Sequence, residues 1–214
     1  MMLKKCFVFV MVLMLVPLMV ACGEGRDGSA RIDLESFEFP NPDLPAILID
    51  IEGYGQIIAE LYPEYAPITV HNFIELLEDG FYDGLTFHRI IDGFMMQGGC
   101  PYGTGFGGSG RNIVGEFASN EIENPLHHDR GVLSMARGGH DFNSASSQFF
   151  IMHANVRGLD RDYAAFGRVI YGIEVVDSVM ESVTPLDHNG TIDSNEQPVI
   201  REIRLVNGSQ IELD

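Results

Sequence analysis

Phe87-His88-Arg89-Ile90-Ile91-Asp92-Gly93-Phe94-Met95-Met96-Gln97-Gly98-Gly99 is the most informative run in this 214-residue chain. It reads as two short apolar stretches, Thr86 to Ile91 and Phe94 to Gln97, broken by a glycine. An arginine sits on the first, with phenylalanine, methionine and glutamine close behind. Three more apolar stretches follow across glycine-rich loops: Val132 to Ala136, Gln148 to Met152 and Ala165 to Ile170. Five short strands in succession predict a barrel or a sandwich.

Upstream, Ile47 to Ile51 and Gln56 to Leu61 flank a Gly53-Tyr54-Gly55 turn and read as a hairpin. A helix should follow, with Pro67 in its first turn, Val70, Phe73, Ile74 and Leu77 at helical spacing, and Gly80 to end it. Downstream, Ile173, Val176, Val179 and Met180 predict a second helix after Gly172, and Val199 to Val206 alternates as a closing strand. The pattern is mainly β with two helices, in one domain.

The N-terminus reads as an export leader, with Lys4 and Lys5 ahead of an apolar run from Phe7 to Val20 that is short for a membrane span. Met19-Val20-Ala21-Cys22 resembles the bacterial lipobox, with Met19 in place of the usual leucine. That resemblance implies cleavage before Cys22 and a lipid on it. An ordinary signal peptide cut after Ala21 is the alternative. Residues 1–21 are thus expected as signal peptide, 22–45, rich in Gly, Asp, Glu, Ser and Pro, as a flexible tether, and 46–214 as the folded domain.

The chain carries a formal charge of −18, and loss of Lys4 and Lys5 takes it to about −20. Such a charge repels phosphate backbones, so nucleic acid is not an expected partner. Solubility explains the acid more simply than an acidic docking surface does. With Cys6 cleaved away and Cys22 acylated, Cys100 has no partner, so no internal disulfide is expected.

The run from Phe87 to Gly99 resembles the cyclophilin family of peptidyl-prolyl isomerases. So do Leu133-Ser134-Met135-Ala136-Arg137 with Ser147-Gln148-Phe149-Phe150-Ile151, and Leu159-Asp160 with Tyr163 and Phe166-Gly167-Arg168-Val169. Together with Glu60-Leu61-Tyr62-Pro63 and the Phe81-Tyr82-Asp83-Gly84 turn, the likeness extends from about Ala46 to Val206 in order. It implies an eight-stranded antiparallel closed β-barrel capped by two α-helices.

The activity it implies is rotation about X-Pro bonds, whose barrier is ~18–20 kcal/mol because amide resonance must be broken. A rate gain of about ten-thousandfold requires only about 5–6 kcal/mol, so no nucleophile, metal or other cofactor is expected. By resemblance Phe94, Met95, Phe150 and Leu159 form a pocket for the proline ring, and Arg89 is the donor to the turning carbonyl. Gln97 orients Arg89 or bonds the peptide, while Ala136, Arg137 and Gly138 line the groove through their main chain and Gln148 joins its wall. Tyr163 stands where many members have histidine, and His88 is expected as a wall residue without a proton to transfer. Taken singly, Arg89 would serve as well in an ion pair and the apolar residues in ordinary core; the joint spacing singles them out.

Gly158 departs from the tryptophan that supports cyclosporin binding in animal members, Asp92 and Cys100 replace the commoner proline and aspartate, and Gly138 to Ala145 is about two residues longer. Expected partners are proline-containing peptides and unfolded exported proteins, with a membrane reached through Cys22 and the chain a monomer in the cell envelope. The alternative is a proline-peptide-binding chaperone or docking module with little turnover. Three further patterns are weaker. Gly103, Gly105 and Gly108 lack the helix a dinucleotide loop must open, His127, His128 and Asp129 lack further metal ligands, and Asp187 to Glu196 reads as a solvated loop.

Overall fold

The computed structural model describes residues 23–24 and 30–207. The leader and Cys22 lie outside the described residues. Besides a two-residue antiparallel pairing of Gly23–Glu24 with Ala30–Arg31, eight strands and two helices follow the order β1 (Ala46–Ile51), β2 (Gly55–Leu61), α1 (Pro67–Glu78), β3 (Phe87–Ile91), β4 (Met95–Gly98), β5 (Val132–Met135), β6 (Phe149–Met152), β7 (Ala165–Tyr171), α2 (Ile173–Ser182) and β8 (Ile200–Asn207). They match the expected elements to within two residues at each end. The strands make one antiparallel sheet in the order β8-β1-β2-β7-β5-β6-β4-β3.

The sheet curls until β3 approaches β8, but its ladder does not run continuously across that seam. An irregular segment closes it instead. Phe87 N–H donates to Pro198 O at 3.0 Å, Ile90 N–H to Gly190 O at 2.8 Å, and Ile192 N–H to His88 O at 3.0 Å. Ile200 N–H returns to Leu85 O at 2.7 Å. The acidic stretch expected as a solvated loop therefore covers the outer edge of β3, which would otherwise be left with unpaired main-chain groups.

Side-chain alternation sorts the strand residues into two apolar clusters. Met96, Leu133, Phe149, Ile151 and Phe166 fill the barrel interior, whereas their neighbours Met95, Val132, Phe150, Met152 and Ala165 form a separate cluster on the outer face. A bulge interrupts β3: Phe87 pairs with Gly98 and Arg89 with Gln97, so His88 is the extra residue. Phe87 and Ile90 both point inward as a result, and Arg89 is turned out beside Gln97.

Both helices pack on the interior cluster. Phe73 of α1 stacks among Tyr82, Phe149 and Phe166 with ring centroids 4.9–5.3 Å apart. Gly80, at φ +67°, turns the chain out of α1, and Gly172, at φ +82°, leads into α2. The residues expected as tether are partly laid on the domain: Ile32 N–H donates to Gln56 Oε1, Asn41 N–H to Glu60 Oε1, and the Phe37 ring meets Tyr171. Asn207 Nδ2 holds the carbonyls of Pro42 and Leu44.

No residue at the start of α1 caps it with its own side chain. Glu116, 2 % exposed, does so from a distant loop, accepting from Ile68 N–H at 3.0 Å, Thr69 N–H at 2.8 Å and Thr69 Oγ1 at 2.6 Å. It satisfies orphan amides and places a negative charge at the positive end of the helix. Glu116→Ala should therefore destabilise the fold by about 2–3 kcal/mol, read as a lower urea midpoint at unchanged slope.

Candidate active site

The outer cluster forms the floor of a groove. Two adjoining cavities open on it, one of about 330 Å³ lined by Arg89, Phe94, Met95, Gln97, Phe150 and Leu159, the other of about 390 Å³. Ala136, Arg137 and Gln97 border both.

Arg89 is fixed at the lip of the first cavity. Its Nε donates to Asn189 O at 2.7 Å, and its Nη1 reaches Gln97 Oε1 at 3.4 Å and Met95 Sδ at 3.6 Å. Its guanidinium lies 5.8 Å from the Phe94 ring centroid. Among the described residues Nη2 has no protein partner and the side chain makes no ion pair. Burial lowers its pKa, with Tyr163 and Asp187 opposing, and an arginine stays charged regardless. Gln97 Nε2 donates on to Gln148 Oε1 at 2.9 Å, and Gln148 Nε2 holds the carbonyls of Gly105 and Gly107. One line of hydrogen bonds thus runs from Arg89 to the loop over the second cavity.

A sequence model described as cyclophilin type peptidyl-prolyl cis-trans isomerase/CLD matches residues 46–206. The chain belongs to the cyclophilin family. It is 50% identical to peptidyl-prolyl cis-trans isomerase B of Bacillus subtilis over 124 residues, spanning 58% of this chain and 82% of that protein. A Helicobacter pylori peptidyl-prolyl cis-trans isomerase is 44% identical over 129 residues, 59% of this chain and 76% of its own. A Cryptosporidium parvum cyclophilin, solved in the presence of the dipeptide Ala-Pro, superposes with a TM-score of 0.65 at 33% identity, covering 75% of this chain and 98% of its own. The protein is a peptidyl-prolyl cis-trans isomerase.

Within this cyclophilin the structure brings together Arg89, Phe94, Met95, Gln97, Ala136, Arg137, Phe150, Leu159 and Tyr163 around the first cavity. Gly138 and Gln148 border the second, with Phe106, 89 % exposed, at its rim. The main-chain edge at 136–138 is partly committed already, since Ala136 N–H bonds Gln148 O and Gly138 N–H bonds Ser144 Oγ. Gly158 lies in the short turn Arg157–Leu159, where a Cβ would meet nothing within 4 Å.

His88 is not on the groove wall. As the bulge residue it is turned beneath the Gly105 loop, 5 % exposed, and neither ring nitrogen has a hydrogen-bond partner among the described residues. The adjacent histidines also separate. His127 stays at the surface with Nδ1 2.8 Å from Asp160 Oδ2, while buried His128 bonds Asp160 Oδ1 through Nδ1 at 3.1 Å and Ser134 Oγ through Nε2 at 2.9 Å, its ring stacked on Phe150. His128 thereby ties β5 and the Leu159-Asp160 turn behind two walls of the first cavity. Nothing in the local sequence distinguishes that use from a surface pair.

Desolvation, then the neighbouring Arg89 charge, holds the His88 imidazole down to about 4. Unfolded histidine titrates near 6.5, so between these values the unfolded chain binds the extra proton. This contribution is complete above pH 6.5 and declines, by up to about 3 kcal/mol, as pH falls toward 4. His88→Leu should flatten that loss, leaving the smaller slope of His128, also lowered by burial. Urea midpoints measured from pH 7.5 to 4.5 check it.

Proposed function

We propose that this isomerase accelerates X-Pro rotation in exported proteins as they fold, from the outer side of a cytoplasmic membrane to which a lipid on Cys22 anchors it. The observation that carries the chemistry is the Arg89 guanidinium, held by a main-chain carbonyl and an amide rather than by a carboxylate, at the lip of a cavity that Phe94, Met95, Phe150 and Leu159 also line. Phe94, Met95, Phe150 and Leu159 grip the proline ring, so that the preceding carbonyl is the part that turns. As resonance is lost, the prolyl nitrogen gains a lone pair and the carbonyl oxygen leaves the amide plane. A fixed guanidinium bonds that arrangement better than the planar one, and this difference lowers the barrier.

Gln97 acts as a positioning residue through its bond to Arg89. The peptide runs along the edge at Ala136, using the Ala136 carbonyl and the Arg137 N–H. The Ala-Pro dipeptide named with the Cryptosporidium relative supports a proline peptide as the ligand.

The tether geometry is compatible with surface anchoring. Residues 32–44 rest on β2, β7 and β8, whereas the groove is built on β3 to β6, and β2 and β4 stand four places apart in the eight-strand order. The domain is proposed to act as a monomer.

Exchange of a proline peptide followed by NMR should show catalysis by the wild type, and Arg89→Ala should lose about a hundredfold with its fold intact. Wild-type protein that binds the peptide without exchanging it would sink the proposed mechanism. Mass spectrometry of protein from membranes should find the mature chain beginning at acylated Cys22, and Cys22→Ala should release the protein from the membrane. A free, unmodified N-terminus at residue 22 would refute the anchor while leaving the isomerase untouched.

A further inference from the structure

Arg137 occupies the boundary between the two cavities in an unusual setting. Its Nε donates to Asp162 O at 2.8 Å and its Nη1 to Gly138 O at 2.9 Å. Three rings surround the guanidinium, with centroids 4.8 Å away at Tyr163, 5.0 Å at Phe142 and 5.3 Å at Phe117. No carboxylate pairs with it among the described residues, although the chain carries 31 acidic residues. Asp162 contributes its main-chain carbonyl, and the Asp141 carboxylate accepts from Asn143 N–H instead. Some arginines of the structure do pair with carboxylates, as Arg111 does with Glu75, Arg130 with Asp177 and Arg201 with Asp50.

Rings and carbonyls orient a guanidinium but do not cancel its charge. Arg137 is therefore a cation with uncommitted N–H capacity facing the path a bound peptide must take.

We infer that Arg137 is a specificity-determining residue that selects substrates carrying a carboxylate within two residues before the proline. The proline ring fills the first cavity, the chain crosses Arg137, and an aspartate or glutamate side chain on the second-cavity side pairs with the guanidinium. The inference rests on the proline-peptide reading of the groove. Its reach is short, because a partly exposed ion pair is screened by salt and is expected to change kcat/KM by about fivefold.

The test compares peptides that hold Glu, Gln or Lys at each of the two positions immediately before a central proline, with Ala at the other, and exchange is measured by NMR on the full-length protein. The expected result is a Glu-to-Gln ratio of about five at one position, a Lys peptide slower than either, and a ratio that shrinks toward one in 0.5 M salt. Arg137→Gln should bring the ratio to one whatever its absolute rate, and Arg137→Lys should keep part of it. Each enzyme is its own control, and the salt series on the wild type needs no variant to fold. A wild-type ratio near one, or a ratio that survives Arg137→Gln, overturns the inference. Failure of every peptide to exchange would instead overturn the proline-peptide reading beneath it.

Discussion

The main-chain hydrogen bonds between β3 and the segment 190–200 hold both the barrel and its groove. They join the two ends of a sheet that would otherwise remain open, and they bring Asn189 to the position where its carbonyl takes the Nε of Arg89. The segment is itself braced. Asp187 accepts from the N–H groups of Asn189 and Thr191 and from Thr191 Oγ1, and these bonds, led by that from the Thr191 main chain, lower its pKa. Gly190, at φ +83°, approaches β3 so closely that a Cβ would stand 2.6 Å from Ile90 O. Fold closure and the placement of the groove arginine therefore share one short stretch of chain.

The bulge at His88 is the second constraint. In a regular strand Phe87 and Arg89 would share a face, and a guanidinium would be driven toward the interior cluster. One extra residue lets Phe87 fill the core and Arg89 meet Gln97 outside it. The extra residue is left with a buried imidazole whose nitrogens have no partner among the described residues, at a cost that a neutral ring keeps small compared with a charged one. Stability is given up at His88 so that Arg89 can be aimed.

Much of this was legible in the sequence because it depends on local pattern. Strand alternation in Met95-Met96 and Phe149-Phe150, helical spacing from Val70 to Leu77, and the glycines at 80 and 172 report the elements almost to the residue. The apolar groove residues were legible only jointly, since Phe94 or Phe150 alone looks like any core residue. What stayed hidden depends on partners distant in the chain. Glu116 caps a helix 48 residues away, Asn189 reaches Arg89 across 100 residues, and Phe117 comes to Arg137 from a separate loop. The motif that suggests a wall position for His88 carries no sign of the bulge that turns it away, and composition, from which the stretch 187–196 reads as a solvated loop, does not report main-chain pairing.

The two groove arginines share a logic that the acidic composition makes plain. In a chain with so many carboxylates several arginines are paired with one, as Arg111, Arg130 and Arg201 are, and a paired guanidinium has little left to offer a substrate. Arg89 and Arg137 are instead held by carbonyls, an amide and aromatic faces. These partners fix direction while leaving the charge uncancelled. A carboxylate at either position would have stabilised the resting protein more and the bound peptide less. The neutral cradle is thus the arrangement by which a strongly negative protein keeps positive charge available at its groove, where a turning carbonyl oxygen, or an acidic side chain beside it, has to be met.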